Sequence, residues 1–348
     1  MQLGLSRVLS GVEGKTRYLL YVLLLIVGGT AVTEVGLRVG LGLGRPPLLR
    51  ADSTVGYVFQ ASQDLRRFTN RVRINRHHQR SGPLMTKPDS TFTRLLFVGD
   101  SVTWGGVLTD QSDTIPAEAE RSLEGQCYNP IEALNASAGS WGIGNARAYI
   151  EKYGLFESDV IVLQIGTHDL TQPKSTSDVV GRHPSFPNEN PTLAIEELAT
   201  RYLWPRLRSY LSHLGRGQGG GQSGDTDAIS EGHLAQNLDH LREMVGRIQS
   251  EQIPVVILHT PNRNEVAGPS VSDASPYRQQ FLHVTDSMRV PVLNLARDWP
   301  EGPPPGVLYR DYVHLNERGN AVVADTLQHF LMRNVPDLCD DGKKREES

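Results

Sequence analysis

Five short apolar runs that stop abruptly, with amphipathic stretches between them, constrain the fold of this chain more than any other feature. The runs lie at 94–98, 131–135, 160–165, 254–258 and 290–295, and are rich in Val, Ile and Leu without polar alternation. A strand buried on both faces has this pattern, because the side chains on either side of it meet apolar neighbours. The stretches at 115–123, 144–153, 234–252 and 276–288 have helical character, clearest in the spacing of Leu234, Leu238, Leu241, Val245 and Ile248. A last amphipathic helix is predicted over 320–332. Strands alternating with helices predict a parallel sheet covered on both faces.

In open sheets of this kind, ligands bind beyond the carboxyl ends of the strands. The first run, Leu95-Leu96-Phe97-Val98, closes on Gly99-Asp100-Ser101 and leads into Val102-Thr103-Trp104-Gly105-Gly106. A serine there is presented to the crevice, and the helix that follows aims N–H groups at an anion beside it. Ser101 is therefore a candidate acyl-transfer nucleophile, with a helix N-cap as the alternative. Three further segments fall at strand or loop ends. Asn135-Ala136-Ser137-Ala138-Gly139-Ser140-Trp141-Gly142 offers backbone N–H groups after a strand. Gly166-Thr167-His168-Asp169 offers a polar donor after the third run, and Asp311-Tyr312-Val313-His314 precedes the last helix. A three-residue offset can bring a carboxylate beside an imidazole, fixing the tautomer with which the histidine takes a proton from serine.

These segments resemble the SGNH (GDSL-type) hydrolase family, through Gly99-Asp100-Ser101-Val102-Thr103-Trp104-Gly105 at one end and Asp311-Tyr312-Val313-His314-Leu315-Asn316, with Gly319, at the other. The resemblance implies a three-layer α/β/α flavodoxin-like fold, with Ser101 as nucleophile, His314 as general base and acid, and Asp311 as its orienting partner. It implies an oxyanion hole made by the N–H groups of Ser101 and Gly139 together with His168, and no metal or organic cofactor. Gly142 is the alternative to Gly139. His168 stands where the family has an asparagine; a neutral imidazole still offers one N–H, and Asp169 either orients it or caps a helix. Trp104 and Trp141 flank the site, as candidates to stack on a sugar ring or as core residues.

The expected activity is hydrolysis of an O-acyl ester, acetyl above all, on a glycan or a small acylated molecule. O-acyl transfer to an envelope or extracellular polysaccharide is the alternative, and a weakly catalytic glycan-binding protein a third reading. Nucleic acid is not an expected partner at a net charge of -4, and neither Gly-x-Gly-x-x-Gly after a strand nor a P-loop lysine occurs. The two cysteines, Cys127 and Cys339, do not make a disulfide framework, and with Cys339 in a polar tail no pairing is expected.

The N-terminus departs from the rest. Residues 18–32 are almost wholly apolar, Arg7, Lys15 and Arg17 precede them, and a second apolar stretch at 35–43 is bordered by Glu34 and broken by Arg38. About 20 apolar residues cross a bilayer. An uncleaved signal anchor over 18–40 is expected, with 1–17 cytoplasmic and the body outside the cytoplasm. A cleaved secretory leader and a buried core helix are the alternatives; Gly28-Gly29-Thr30-Ala31 is only a weak cleavage site. Arg38, Arg45 and Arg50 after the span blunt the charge asymmetry that would orient it. Residues 41–90 are expected to be an irregular lead-in, anchored by Tyr57, Phe59 and Phe68, with His77-His78 in a solvated or packing loop. The catalytic domain is expected over 91–334, with a long loop at 170–191, a flexible Gly-rich insertion at 215–227 and a disordered tail from 335 to 348.

Overall fold

The computed structural model describes residues 2–86, 92–215, 224–266, 276–299 and 302–339. A long helix, α1 (Gln2–Leu41), precedes two antiparallel hairpins, β1 (Leu49–Asp52) with β2 (Gly56–Phe59) and β3 (Gln63–Arg67) with β4 (Asn70–Ile74). Then come β5 (Thr93–Gly99), α2 (Ser101–Trp104), α3 (Ile115–Glu124), β6 (Ile131–Ser137), α4 (Ile143–Tyr153) and β7 (Val160–Gly166). After a long loop, α5 (Ala194–Glu197) joins α6 (Trp204–Gly215) through a π-helical turn, Leu198–Leu203. The chain continues with α7 (Gly224–Ser250), β8 (Val255–Thr260), α8 (Arg263–Val266), α9 (Pro276–Ser287), β9 (Val292–Asn294) and α10 (Glu317–Asn334). These elements form two compact units, one of Met1–Pro46 with Asn190–Arg216, the other of Pro47–Glu189 with Gly217–Ser348.

The larger unit holds a five-stranded parallel sheet in the order β6-β5-β7-β8-β9. This is the flavodoxin-like order, and its topological switch point lies between β5 and β7. Successive side chains of β5 point to opposite faces, so one strand feeds two cores. Leu96 and Val98 pack with Tyr149, Leu241, Val245 and Phe281 of α4, α7 and α9. Leu95 and Phe97 pack with Ala119 and Leu123 of α3 and with Val323, Leu327 and Leu331 of α10. The three-layer α/β/α architecture follows from that alternation, with helices covering both faces of the sheet.

Three expectations change. Residues 49–74 are two hairpins and not irregular chain, and they are built into the larger core: Tyr57, Phe59, Val72 and Ile74 are buried. The tail is ordered over 335–339, with Val335 and Leu338 buried. Cys127 and Cys339 are joined in a disulfide across 212 positions of sequence, because the end of α10 returns to the loop after α3. Of the Gly-rich insertion, 216–223 lie outside the described residues, and α7 already begins at Gly224. Residues 340–348 of the tail also lie outside them.

In the smaller unit, α1 carries one apolar segment, Thr16–Leu41, long enough to cross a membrane by length and composition. None of its most apolar window is buried.

Candidate active site

The turn after β5 is held from beneath. Gln164, buried in the middle of β7, accepts through Oε1 from the Asp100 N–H (3.2 Å) and the Thr103 hydroxyl (2.9 Å), and donates through Nε2 to Thr260 Oγ1 (2.9 Å). Asp100 caps α2, its Oδ1 accepting from Val102 N–H at 2.7 Å. A four-residue helix leaves its last carbonyls without helical partners. Buried side chains supply them: Asn135 Nδ2 donates to Thr103 O at 2.8 Å, and the fully buried Arg80 guanidinium donates to the carbonyls of Trp104, Gly106 and Thr109. Gly99 is required by close approach, since a Cβ there would lie 2.4 Å from Thr103 Oγ1 and 2.6 Å from Gln164 Oε1.

Ser101 Oγ–H donates to His314 Nε2 at 2.8 Å, and His314 Nδ1–H donates to Asp311 Oδ2 at 2.8 Å. The other carboxylate oxygen of Asp311 accepts from the N–H groups of Val313 and His314, both at 2.8 Å, and so closes the turn that brings the two side chains together. Partial burial pushes the Asp311 carboxyl up, but these N–H groups and the imidazole outweigh it and hold it below its ordinary range. The turn is pinned on three sides. Arg263 N–H donates to Tyr312 O (2.9 Å), Arg310 reaches Thr109 Oγ1 (3.0 Å) in the loop after α2, and Asn316 caps α10. Gly319 packs so close to the Leu308 carbonyl that a Cβ would lie 2.3 Å from it.

His168 follows β7, on the other side of the switch point. Its Nε2 lies 2.6 Å from Asp100 Oδ2 and 3.6 Å from Asp169 Oδ1. Burial pulls this imidazole down, but the Asp169 and Asp100 carboxylates push it up to about 9. Burial, and then the charge of Asp100, push the Asp169 carboxyl well above its ordinary range. At neutral pH the cluster thus holds an imidazolium bonded to Asp100, beside an Asp169 carboxyl inclined to keep a proton. Asp169 Oδ2 also accepts from Gly166 N–H at 2.7 Å, which binds the turn to its own strand. Nδ1 of His168 is buried and has no hydrogen-bond partner. Among the described residues this is the one group of side chains spaced to hold a metal ion, and the Asp100–His168 hydrogen bond spends its ligand atoms on a proton.

The two glycines of the loop after β6 differ in their surroundings. The N–H of Gly142 donates to Asn145 Oδ1 (3.0 Å) in the first turn of α4, whereas the space over the Gly139 Cα is open. The second hairpin partner, β2, supports this loop: Tyr57 Oη–H donates to Gly139 O at 2.6 Å. Trp104 and Trp141 do not offer a ring to a sugar. Trp141 is 2% exposed, with Nε1 donating to Tyr57 O, and Trp104 is buried between Phe59 and the Arg80 guanidinium. An indole stacks on a ligand only where a face is free, and here core packing takes both. Gln164 and Arg80 escaped the sequence reasoning as site supports; the signal for Gln164 is a lone amide inside an otherwise apolar strand.

A parallel sheet with a serine–histidine–aspartate relay at its switch point defines a hydrolase of the acyl-transfer class. A family model, that of the GDSL-like lipase/acylhydrolases, matches residues 97–322. The chain belongs to that family and is a carboxylic ester hydrolase of the SGNH fold. Curated proteins yield no match. Solved structures similar to the chain include an acetyl xylan esterase (19% identity, covering 68% of this chain and 99% of that one, TM-score 0.41). A lipase/acylhydrolase from Enterococcus faecalis (15%, 69% and 95%, 0.41) and an acetylxylan esterase from Geobacillus stearothermophilus (14%, 73% and 100%, 0.42) are further examples.

Proposed function

We propose that the protein is a membrane-anchored, extracytoplasmic serine esterase that removes an O-acyl group, acetyl above all, from a glycan. The observation that carries the reading is the unbroken hydrogen-bonded line from Ser101 Oγ through His314 to Asp311. His314 Nε2 takes the hydroxyl proton as Ser101 Oγ attacks the ester carbonyl. The N–H groups of Ser101 and Gly139 receive the developing oxyanion; the help expected from His168 does not fit this arrangement, since its Nε2 is held by Asp100 and its Nδ1 is buried over Gly166. His314 then returns its proton to the departing alcohol oxygen. In the second half it deprotonates a water, which attacks the acyl-enzyme, and returns that proton to Ser101 Oγ as the acid departs.

Two features support the finer parts. The His314 and Asp311 side chains are 36% and 52% exposed, so the relay reaches an ester displayed on a bulky molecule without having to engulf it. The Cys127–Cys339 bridge suits an oxidising compartment, which agrees with α1 spanning the membrane and residues 91–334 lying outside the cytoplasm.

The test is hydrolysis of p-nitrophenyl acetate and of an acetylated oligosaccharide by the full chain. Wild-type protein releases acetate, and Ser101→Ala lowers kcat by about 10⁴-fold or more while leaving the fold intact by circular dichroism. An active Ser101→Ala variant overturns the mechanism. Acetylated acceptor glycan in place of free acetate overturns hydrolysis in favour of transfer.

A further inference from the structure

Glu34 and Arg38, the charges that interrupt the apolar N-terminal region, have a structural task. Glu34 accepts from the N–H groups of Ala194 and Ile195 (2.8 and 3.1 Å), the first two residues of α5, and is paired with Arg38 at 2.6 Å. Arg38 donates to Thr192 O at 2.9 Å, and Glu197 of α5 accepts from Gly44 N–H at 2.6 Å. The start of α5 is therefore clamped to the last turns of α1. If α1 crosses a bilayer, these charged turns mark where it leaves the hydrocarbon, and the helix that follows α5 starts at that level.

That helix, α6, has an uncovered apolar face. Trp204, Leu207, Tyr210 and Leu211, continued by Leu203 at the end of the π-helical turn, are 48 to 64% exposed. At 100° per residue they occupy an arc of about 120°. Arg206 and Arg208 fall on either border of that arc, and α6 contains no acidic residue. Tryptophan and tyrosine are the side chains that settle at the headgroup level of a bilayer, and arginine beside them meets lipid phosphate.

We propose that α6 lies in the interfacial layer of the leaflet from which α1 emerges, with its apolar arc against the acyl chains and its arginines on anionic headgroups. The occupant of this face is the bilayer itself. The inference rests on α1 as a membrane span, and the aromatic, acid-free composition of α6 and its clamp to the end of α1 argue for lipid over a second protein.

Trp204 provides the readout, because Trp104 and Trp141 are buried and Trp299 is half-buried. The full chain is placed in vesicles of equimolar phosphatidylcholine and phosphatidylglycerol carrying bromines at shallow or deep acyl positions. The fluorescence lost in Trp204→Phe is the Trp204 signal. Shallow bromines are expected to quench at least half of it and deep bromines markedly less, and Arg206→Glu with Arg208→Glu weakens the shallow quenching. The span is read separately from Val27→Cys, the other cysteines being bridged. A shielded Cys at 27 with an unquenched Trp204 overturns the proposal and leaves the anchor standing. Stronger quenching by deep bromines overturns it in favour of an inserted helix. A Cys at 27 that reacts with aqueous maleimide in intact vesicles overturns the anchor, and the proposal with it.

Discussion

Replacing His168 with asparagine, the residue the family pattern has there, should cost stability in a strongly pH-dependent way. The imidazole bonds Asp100 at 2.6 Å and is three-quarters buried, with Asp169 close by. Its rise from 6.5 to about 9 on folding corresponds to about 3 kcal/mol. The folded-state value is the higher one, so this contribution is complete below pH 6.5 and is lost as pH rises through about 9. For a domain of this size about 3 kcal/mol moves the melting temperature by roughly 6–12 °C. Calorimetry of wild-type and His168→Asn protein in matched buffers from about pH 6 to 10 should therefore show a gap of that size at the acid end, closing toward the alkaline end. Comparing the two proteins cancels the titration of lysines and tyrosines common to both. A gap that stays constant, or widens with pH, would refute the picture of an imidazolium held by Asp100.

Gly99→Ala places a methyl group against Thr103 and Gln164, and should cost about 1–3 kcal/mol while displacing Ser101; a variant with unchanged melting temperature and kcat contradicts the packing described. Arg80→Met strips three carbonyls of a charged donor and should cost about 3 kcal/mol or more, read as a lower denaturation midpoint in urea. Replacing Cys127 and Cys339 together by serine opens a very long loop and should lower stability by roughly 2–5 kcal/mol, with esterase activity at low temperature retained; a midpoint indifferent to reducing agent would count against the bridge.

Much of the sheet was legible because its signal is local. A continuous apolar run such as 160–165 has no other favourable place than between two helical layers, and a turn residue such as Gly99 marks where it must stop. The same locality hid the hairpins. Their strands are short and carry charges, and the two-residue turn of β3–β4 is made by Phe68 and Thr69, both at positive φ, where Asn-Gly would have announced it. Composition misled at Cys339, since a polar neighbourhood in sequence says nothing about what lies across space. It also left the two tryptophans open, because burial depends on Phe59, Tyr57 and Arg80, which arrive from a distant segment.

By itself the sequence determined the alternating architecture, the four segments at the strand ends, and an N-terminal helix apolar enough for a bilayer, since each depends on periodicity within a dozen or so residues. Only the tertiary structure decided that the Gly142 N–H is taken by Asn145, that His168 is spoken for by Asp100, that Gln164 and Arg80 carry the serine turn, and that Glu34 and Arg38 clamp α5. These depend on hydrogen bonds between residues tens to hundreds of positions apart, which a chain acquires only when it folds.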